Sequence, residues 1–166
     1  SLLDQTLGRH YRKDPQRLSE FLRYADDPSV LQGLERIKLA NKERFSAFAK
    51  KRNGVMVNPD SFFDVQVKRI HEYKRQLLNV LKIFAVYLNL KDNPNIDILP
   101  QTFIFGGKAA AGYYMAKRII KLIHALSQEI DRDPSVKGRL KVVYMEDYNV
   151  TVAENLIPAA DLSEQI

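Results

Sequence analysis

The sequence predicts an α/β fold built on a parallel sheet and preceded by a helical segment. Three observations carry that expectation. Short runs rich in Val, Phe, Ile and Tyr, namely "FFDVQV" (62–67), "TFIF" (102–105) and "KVVYM" (141–145), have the composition of strands. The intervals between them are long enough for a crossover and carry helix-period apolar residues, and strand–helix repeated in this way favours parallel strands joined by right-handed connections. Ahead of residue 54 the pattern is helical and strongly charged, with no comparable pair of long β-type runs.

In the lead-in (residues 1–54), Asp14-Pro15 and Asp27-Pro28 each set a capping acceptor before a proline suited to a first helical turn, and Asn53-Gly54 supplies a stop. In the longer helix Leu31, Leu34, Ile37, Phe45 and Phe48 form an apolar stripe, and Glu35, Lys42, Arg44 and Lys51 are expected on its wet side. Residues 55–166 are expected to hold the sheet. Here "VMV" (55–57) reads as a further β-type run. Residues 72–90 are apolar nearly all round after the first turn, which predicts a largely buried helix. The stretch from Tyr113 to about Ile130 is amphipathic, with Lys117, Arg118 and Lys121 toward solvent. Thr151-Val152-Ala153-Glu154 has capping-box spacing for a short third helix limited by Pro158.

A chain of 166 residues with 45% apolar and 28% charged residues has globular composition. It contains no cysteine, which excludes disulfides and thiolate metal sites, and His10, His71 and His124 stand too far apart for a local ligand motif. No metal is expected. The first residues, "SLLDQTLGRHYRKD", show no basic region followed by a long apolar run, and no stretch of about 18 uncharged apolar residues occurs, so neither a signal peptide nor a membrane span is expected. A cytoplasmic location is compatible with this reading. The formal net charge of +6 favours an anionic partner without specifying one.

In open parallel sheets ligands gather beyond the carboxyl ends of the strands, where helix amino termini point. Three stretches fall there: Lys68-Arg69-Ile70-His71, Gly106-Gly107-Lys108, and Glu146-Asp147-Tyr148-Asn149. Lys68, Arg69 and Lys74 crowd the start of one helix, where cations oppose the helix dipole and repel one another unless an anion is present. They read either as a phosphate cradle or as a solvated basic face. "FIFGGKAAAG" has strand–turn–helix context but fits neither G-x-G-x-x-G nor G-x-x-x-x-G-K-[ST], so the glycines serve packing as well as they would serve a ligand.

Taken together, "FFDVQVKRIHEYKRQLLN", "FIFGGKAAAGYYMAKRIIKLI" and "YNVTVAENLIPAADLSEQI" closely resemble the alpha-glucan phosphorylases that act on glycogen, starch and maltodextrin. The resemblance runs from about Val55 to the end and more loosely before it. It implies the early part of the C-terminal, Rossmann-like half of a two-domain glycosyltransferase. That family releases glucose 1-phosphate from the end of an alpha-1,4-glucan with inorganic phosphate, using the phosphate of pyridoxal phosphate in proton transfer. By resemblance, Arg69 and Lys74 hold the substrate phosphate, Lys68 faces the cofactor phosphate, and Tyr148 and Asn149 lie beside the cofactor. It also implies a homodimer for the full-length enzyme, a lysine that anchors the cofactor beyond Ile166, and an inactive chain in isolation. A nucleotide-sugar glycosyltransferase fragment and a non-catalytic basic nucleic-acid-binding module are the competing readings, although no nucleic-acid partner is expected.

Overall fold

The structure, a computed structural model, describes residues 1–165. It contains two compact units, one ending at Ala40 and one beginning at Asn41. In the first, α1 (Leu2–Leu7) opens with a capping box between Ser1 and Asp4. Pro15–Tyr24, entered through Asp14, winds as a 3-10 helix with no buried residue. The second punctuation mark works as expected. Asp27 accepts from the Ser29 and Val30 amides at 2.9 and 3.2 Å, and α2 runs over Pro28–Asn53. Gly54, at φ 68°, follows its last residue in the left-handed conformation that glycine tolerates.

The second unit holds four parallel strands in the order β3-β2-β1-β4: β1 Phe62–Val67, β2 Gln101–Gly106, β3 Leu140–Met145 and β4 Leu162–Ser163. The helices α3 (Gln76–Asp92), α4 (Tyr114–Arg132) and α5 (Val150–Leu156) connect them. Because side chains alternate across a strand, the sheet feeds two cores. Phe103, Phe105, Leu140 and Val142 meet Ile83, Tyr87 and Leu90 of α3 and Ile119, Ile123 and Ile130 of α4. Phe63, Val65, Ile104, Val143 and Met145 meet Phe45 and Ala49 of α2 and Val152 and Leu156 of α5. On the face that takes up α3 and α4, β1 supplies polar side chains instead, Asp64 and Gln66, both buried.

Four local expectations are corrected. Residues 55–57 pair with no strand, and the fourth strand is the two-residue β4, too short to leave a period in the sequence. Helix α3 starts at Gln76, not at Glu72, because Arg75 takes a left-handed conformation (φ 59°) between a 3-10 turn, Glu72–Lys74, and the helix. Nor is α3 largely buried: its sheet-facing side is Val80, Ile83, Tyr87 and Leu90, while Leu77, Leu78, Leu81, Phe84 and Leu88 are exposed. Finally, α5 is capped by Asn149, whose side chain accepts from the Val152 amide at 3.2 Å, not by Thr151. The apolar stripe of α2 is divided as well. Phe45 is buried, whereas Leu31, Leu34 and Ile37 are exposed.

Candidate functional site

The parallel register aligns Val67, Gly106 and Met145, so Lys68, Gly107 and Glu146 each stand one residue beyond the sheet at the same edge. The backbones approach closely there. Gly107 has φ 154°, and a Cβ on it would sit 2.0 Å from the Lys68 carbonyl oxygen, so only glycine allows this contact. The Ile70 amide donates to the Lys108 carbonyl at 3.2 Å, and the Tyr144 hydroxyl donates to the Gly107 carbonyl at 2.6 Å, which ties the first two loops and β3 together. A Cβ on Gly106 would meet Tyr148 Cδ2 and Val67 Cγ1, each at 3.2 Å. The missing side chain is what lets Tyr148 lie over the strand end. Burial pushes the phenol of Tyr148 above its ordinary pKa and that of Tyr144 up to about 12.

Lys68 and Arg69 occupy the turn after β1 and Lys74 the 3-10 turn that precedes α3; Lys68 and Lys74 are half-buried and Arg69 is exposed. Lys74 Nζ lies 4.8 Å from the centre of the Tyr73 ring, a cation–π contact. Among the described residues no carboxylate comes within ion-pair distance of Lys68, Arg69 or Lys74. Two nearby acids are engaged elsewhere. Asp147 faces Arg52 at 3.2 Å and Lys108 at 3.5 Å, and Glu72 accepts from the Tyr113 hydroxyl. Asn149 has its side-chain oxygen occupied as the α5 cap, and its amide nitrogen lies 3.5 Å from Asp147.

Three residues that sequence reasoning missed brace this loop from below. Gln76, with no exposed surface, accepts from the His71 amide at 3.3 Å and donates to the Arg69 carbonyl at 3.2 Å. Gln66 donates to the Lys74 carbonyl at 3.1 Å and accepts from Asn79 at 2.9 Å. The available signal was faint: in "FFDVQV", Asp64 and Gln66 share one face of the strand, where a two-sided parallel sheet would ordinarily carry apolar residues. His71 packs its ring 4.2 Å from Tyr73 and 4.8 Å from Tyr113. A cavity of about 480 Å³ lies at the opposite, amino-terminal edge of the sheet, between Ser61, Gln101 and Leu140, so this concavity and the basic edge are separate features.

One edge of the sheet thus carries three cations with no carboxylate in ion-pair distance among the described residues, a glycine pair that brings two backbones together, and a tyrosine over the strand end. A family model described as carbohydrate phosphorylase matches residues 1–166. The chain belongs to the carbohydrate phosphorylase family. Among its relatives are the muscle form of glycogen phosphorylase from Bos taurus, 48% identical over 99% of this chain, and glycogen phosphorylase from Bacillus subtilis, 46% identical over 100% of it. The brain form from Ovis aries is 47% identical over 98% of this chain. The phosphorylase chain in hand spans about a fifth of the length of these relatives, 20%, 21% and 19% respectively. No helix among the described residues is long and apolar enough to cross a membrane.

Proposed function

We propose that this segment supplies the phosphate-binding cations of an alpha-1,4-glucan phosphorylase, a hexosyltransferase that releases glucose 1-phosphate from glycogen or maltodextrin with inorganic phosphate. The observation that supports the reading is the set of three cations, Lys68, Arg69 and Lys74, that the segment from the end of β1 to α3 carries without an acid partner among the described residues, while Arg52 and Lys108 have one. Like charges gathered without a counter-charge are unfavourable, and a bound dianion relieves them.

The donor set also suits pyridoxal phosphate. Lys68 is a half-buried ammonium in the turn after β1, the chemistry that a phosphate group requires. Lys68 would hold the cofactor phosphate, with Tyr148 and the amide of Asn149 beside it. When bound, the cofactor supplies a phosphate group able to exchange a proton with the substrate phosphate. Arg69 and Lys74 would orient inorganic phosphate next to it. Two unit charges about 4 Å apart repel by roughly 4 kcal/mol at an effective dielectric near 20, so fixed cations are needed before two phosphates can be held in contact. The chain's residues thus bind and position; they complete the reaction only with the rest of the enzyme. A cytoplasmic homodimer is the corresponding state of the full-length protein.

The test is phosphorolysis of maltodextrin by a full-length phosphorylase carrying this segment, compared with its Arg69→Ala and Lys74→Ala variants. Each is expected to lose at least about 10²-fold in rate, the scale of one preorganised charge contact. Near-normal rates in both would remove these residues from the phosphate site.

A further inference from the structure

We infer that Gln66 and Gln76 are positioning residues for the phosphate site: buried amides that set the backbone path of residues 69–74 and so aim Arg69 and Lys74. The inference rests on the reading of the site given above and names residues that act through others, without touching phosphate.

Cost and placement support it. Gln66 is 2% exposed, Gln76 has no exposure and Asn79 is 8% exposed, beside a sheet whose two clusters of buried side chains are apolar and whose other buried polar residues include Lys42, Ser61, Asp64 and Thr102. A buried amide costs about 1–3 kcal/mol for each polar group left unpaired, whereas an apolar side chain of the same shape costs nothing of the kind. Packing alone does not call for three amides here. Their hydrogen bonds run into the basic loop: Gln76 to the Arg69 carbonyl and the His71 amide, Gln66 to the Lys74 carbonyl, and Asn79 to Gln66. The two glutamines therefore grip the loop at both ends, one at Arg69 and one at Lys74.

The loop needs such a grip. Arg75 sits at φ 59°, a left-handed conformation that a non-glycine residue keeps only where its surroundings determine it. Its amide donates to the Glu72 carbonyl and its carbonyl accepts from the Asn79 amide, so the turn is closed from the Asn79 side as well. Lys74 precedes this turn directly. Release of its carbonyl from Gln66 would free the peptide that orients it. Both amides anchor in regular structure, Gln66 next to the last residue of β1 and Gln76 in the first turn of α3, so the loop takes its geometry from the sheet and the helix.

The experiment uses the full-length phosphorylase carrying this segment, with Gln66→Met and Gln76→Met, which keep side-chain length and remove the hydrogen bonds. KM for inorganic phosphate, KM for maltodextrin and Tm are measured for each. Positioning predicts that KM for phosphate rises at least about tenfold while KM for maltodextrin stays within about twofold, since misplacement touches only the phosphate side. A lower Tm with unchanged KM for phosphate, in an enzyme that Arg69→Ala and Lys74→Ala inactivate, overturns the positioning role and leaves the site reading intact. Normal activity in Arg69→Ala and Lys74→Ala overturns both. Should a methionine variant fail to fold, Gln76→Leu and Gln66→Leu remove the same hydrogen bonds with a compact apolar side chain and no added charge. The same rise in KM is then expected, and its absence counts against the proposal.

Discussion

The Lys42 ammonium lies 2.6 Å from the Asp161 carboxylate, and the same carboxylate oxygen accepts from the Phe63 amide at 2.8 Å. Lys42 also donates to the Ser61 carbonyl at 2.9 Å and stands 5.0 Å from the centre of the Phe63 ring. One cation thus joins α2, the entry to β1 and the segment before β4. Lys42 is buried while Asp161 is partly open to solvent, so Lys42→Ala, which leaves the carboxylate and the Ser61 carbonyl without this donor, is expected to cost about 1–3 kcal/mol of unfolding free energy, measured by urea denaturation. In a double-mutant cycle Lys42→Ala and Asp161→Asn should be strongly non-additive. Additive losses would mean that the two side chains act independently.

Gly107 and Gly106 are expected to respond differently to alanine. At Gly107 the new Cβ falls on the Lys68 carbonyl oxygen and φ is 154°, so the loop must move; at Gly106 the nearest atoms stand at 3.2 Å and belong to side chains. Gly107→Ala should lower stability by about 2 kcal/mol or more and shift the amide resonances of residues 68–70, with Gly106→Ala the milder change. Equal effects would show that the close backbone approach does not govern the turn.

Alkaline stability should depend on Tyr144. Burial raises its phenol from 10.0 to about 12, so the folded state keeps the proton after the unfolded state has lost it. A raised folded pKa contributes stability that is complete below pH 10 and is lost between pH 10 and about 12. Tyr144→Phe should therefore flatten part of the fall in stability over that interval, at the expense of the hydrogen bond to Gly107. Urea midpoints measured from pH 9 to 12 decide it; an unaltered slope would place the ionisation elsewhere.

Acid stability should depend on Asp133. The Ser135 hydroxyl, the Tyr87 hydroxyl and the Ser135 amide all donate to its carboxylate and hold its pKa well below the ordinary 3.8. A lowered folded pKa gives stability that is present above 3.8 and disappears as pH falls below it. Asp133→Asn should make unfolding less sensitive to pH on the acid side, seen in melts between about pH 2 and 5. A variant with the parent's acid slope would dismiss this carboxylate as a contributor.

The outer face of α3 should make the isolated chain self-associate. Leu77, Leu78, Leu81, Phe84 and Leu88 follow helical spacing and are all exposed, a continuous apolar stripe. Sedimentation should show concentration-dependent association that Leu78→Lys with Leu81→Lys abolishes. The same isolated chain, incubated with pyridoxal phosphate and borohydride, should carry no stoichiometric pyridoxyl-lysine and release no glucose 1-phosphate.

The sequence by itself determined the α/β class, the three long strands to within a residue or two, and the common edge on which the basic loop, the glycine pair and Tyr148 fall. These follow from local properties: strand composition, the period of the helices, and capping residues such as Asp27. It did not determine which polar residues are inside. Lys42 reads as a solvent-facing member of an amphipathic helix, yet it is buried, because its partners are the distant Asp161 and Ser61. The left-handed Arg75 and the grip of Gln66 and Gln76 on the basic loop were equally illegible, since each depends on atoms brought together only when α3 settles on β1. The exposure of half of α3 escapes the sequence for the converse reason: an all-round apolar helix states how much surface wants covering, and only the tertiary structure decides how much of it is covered.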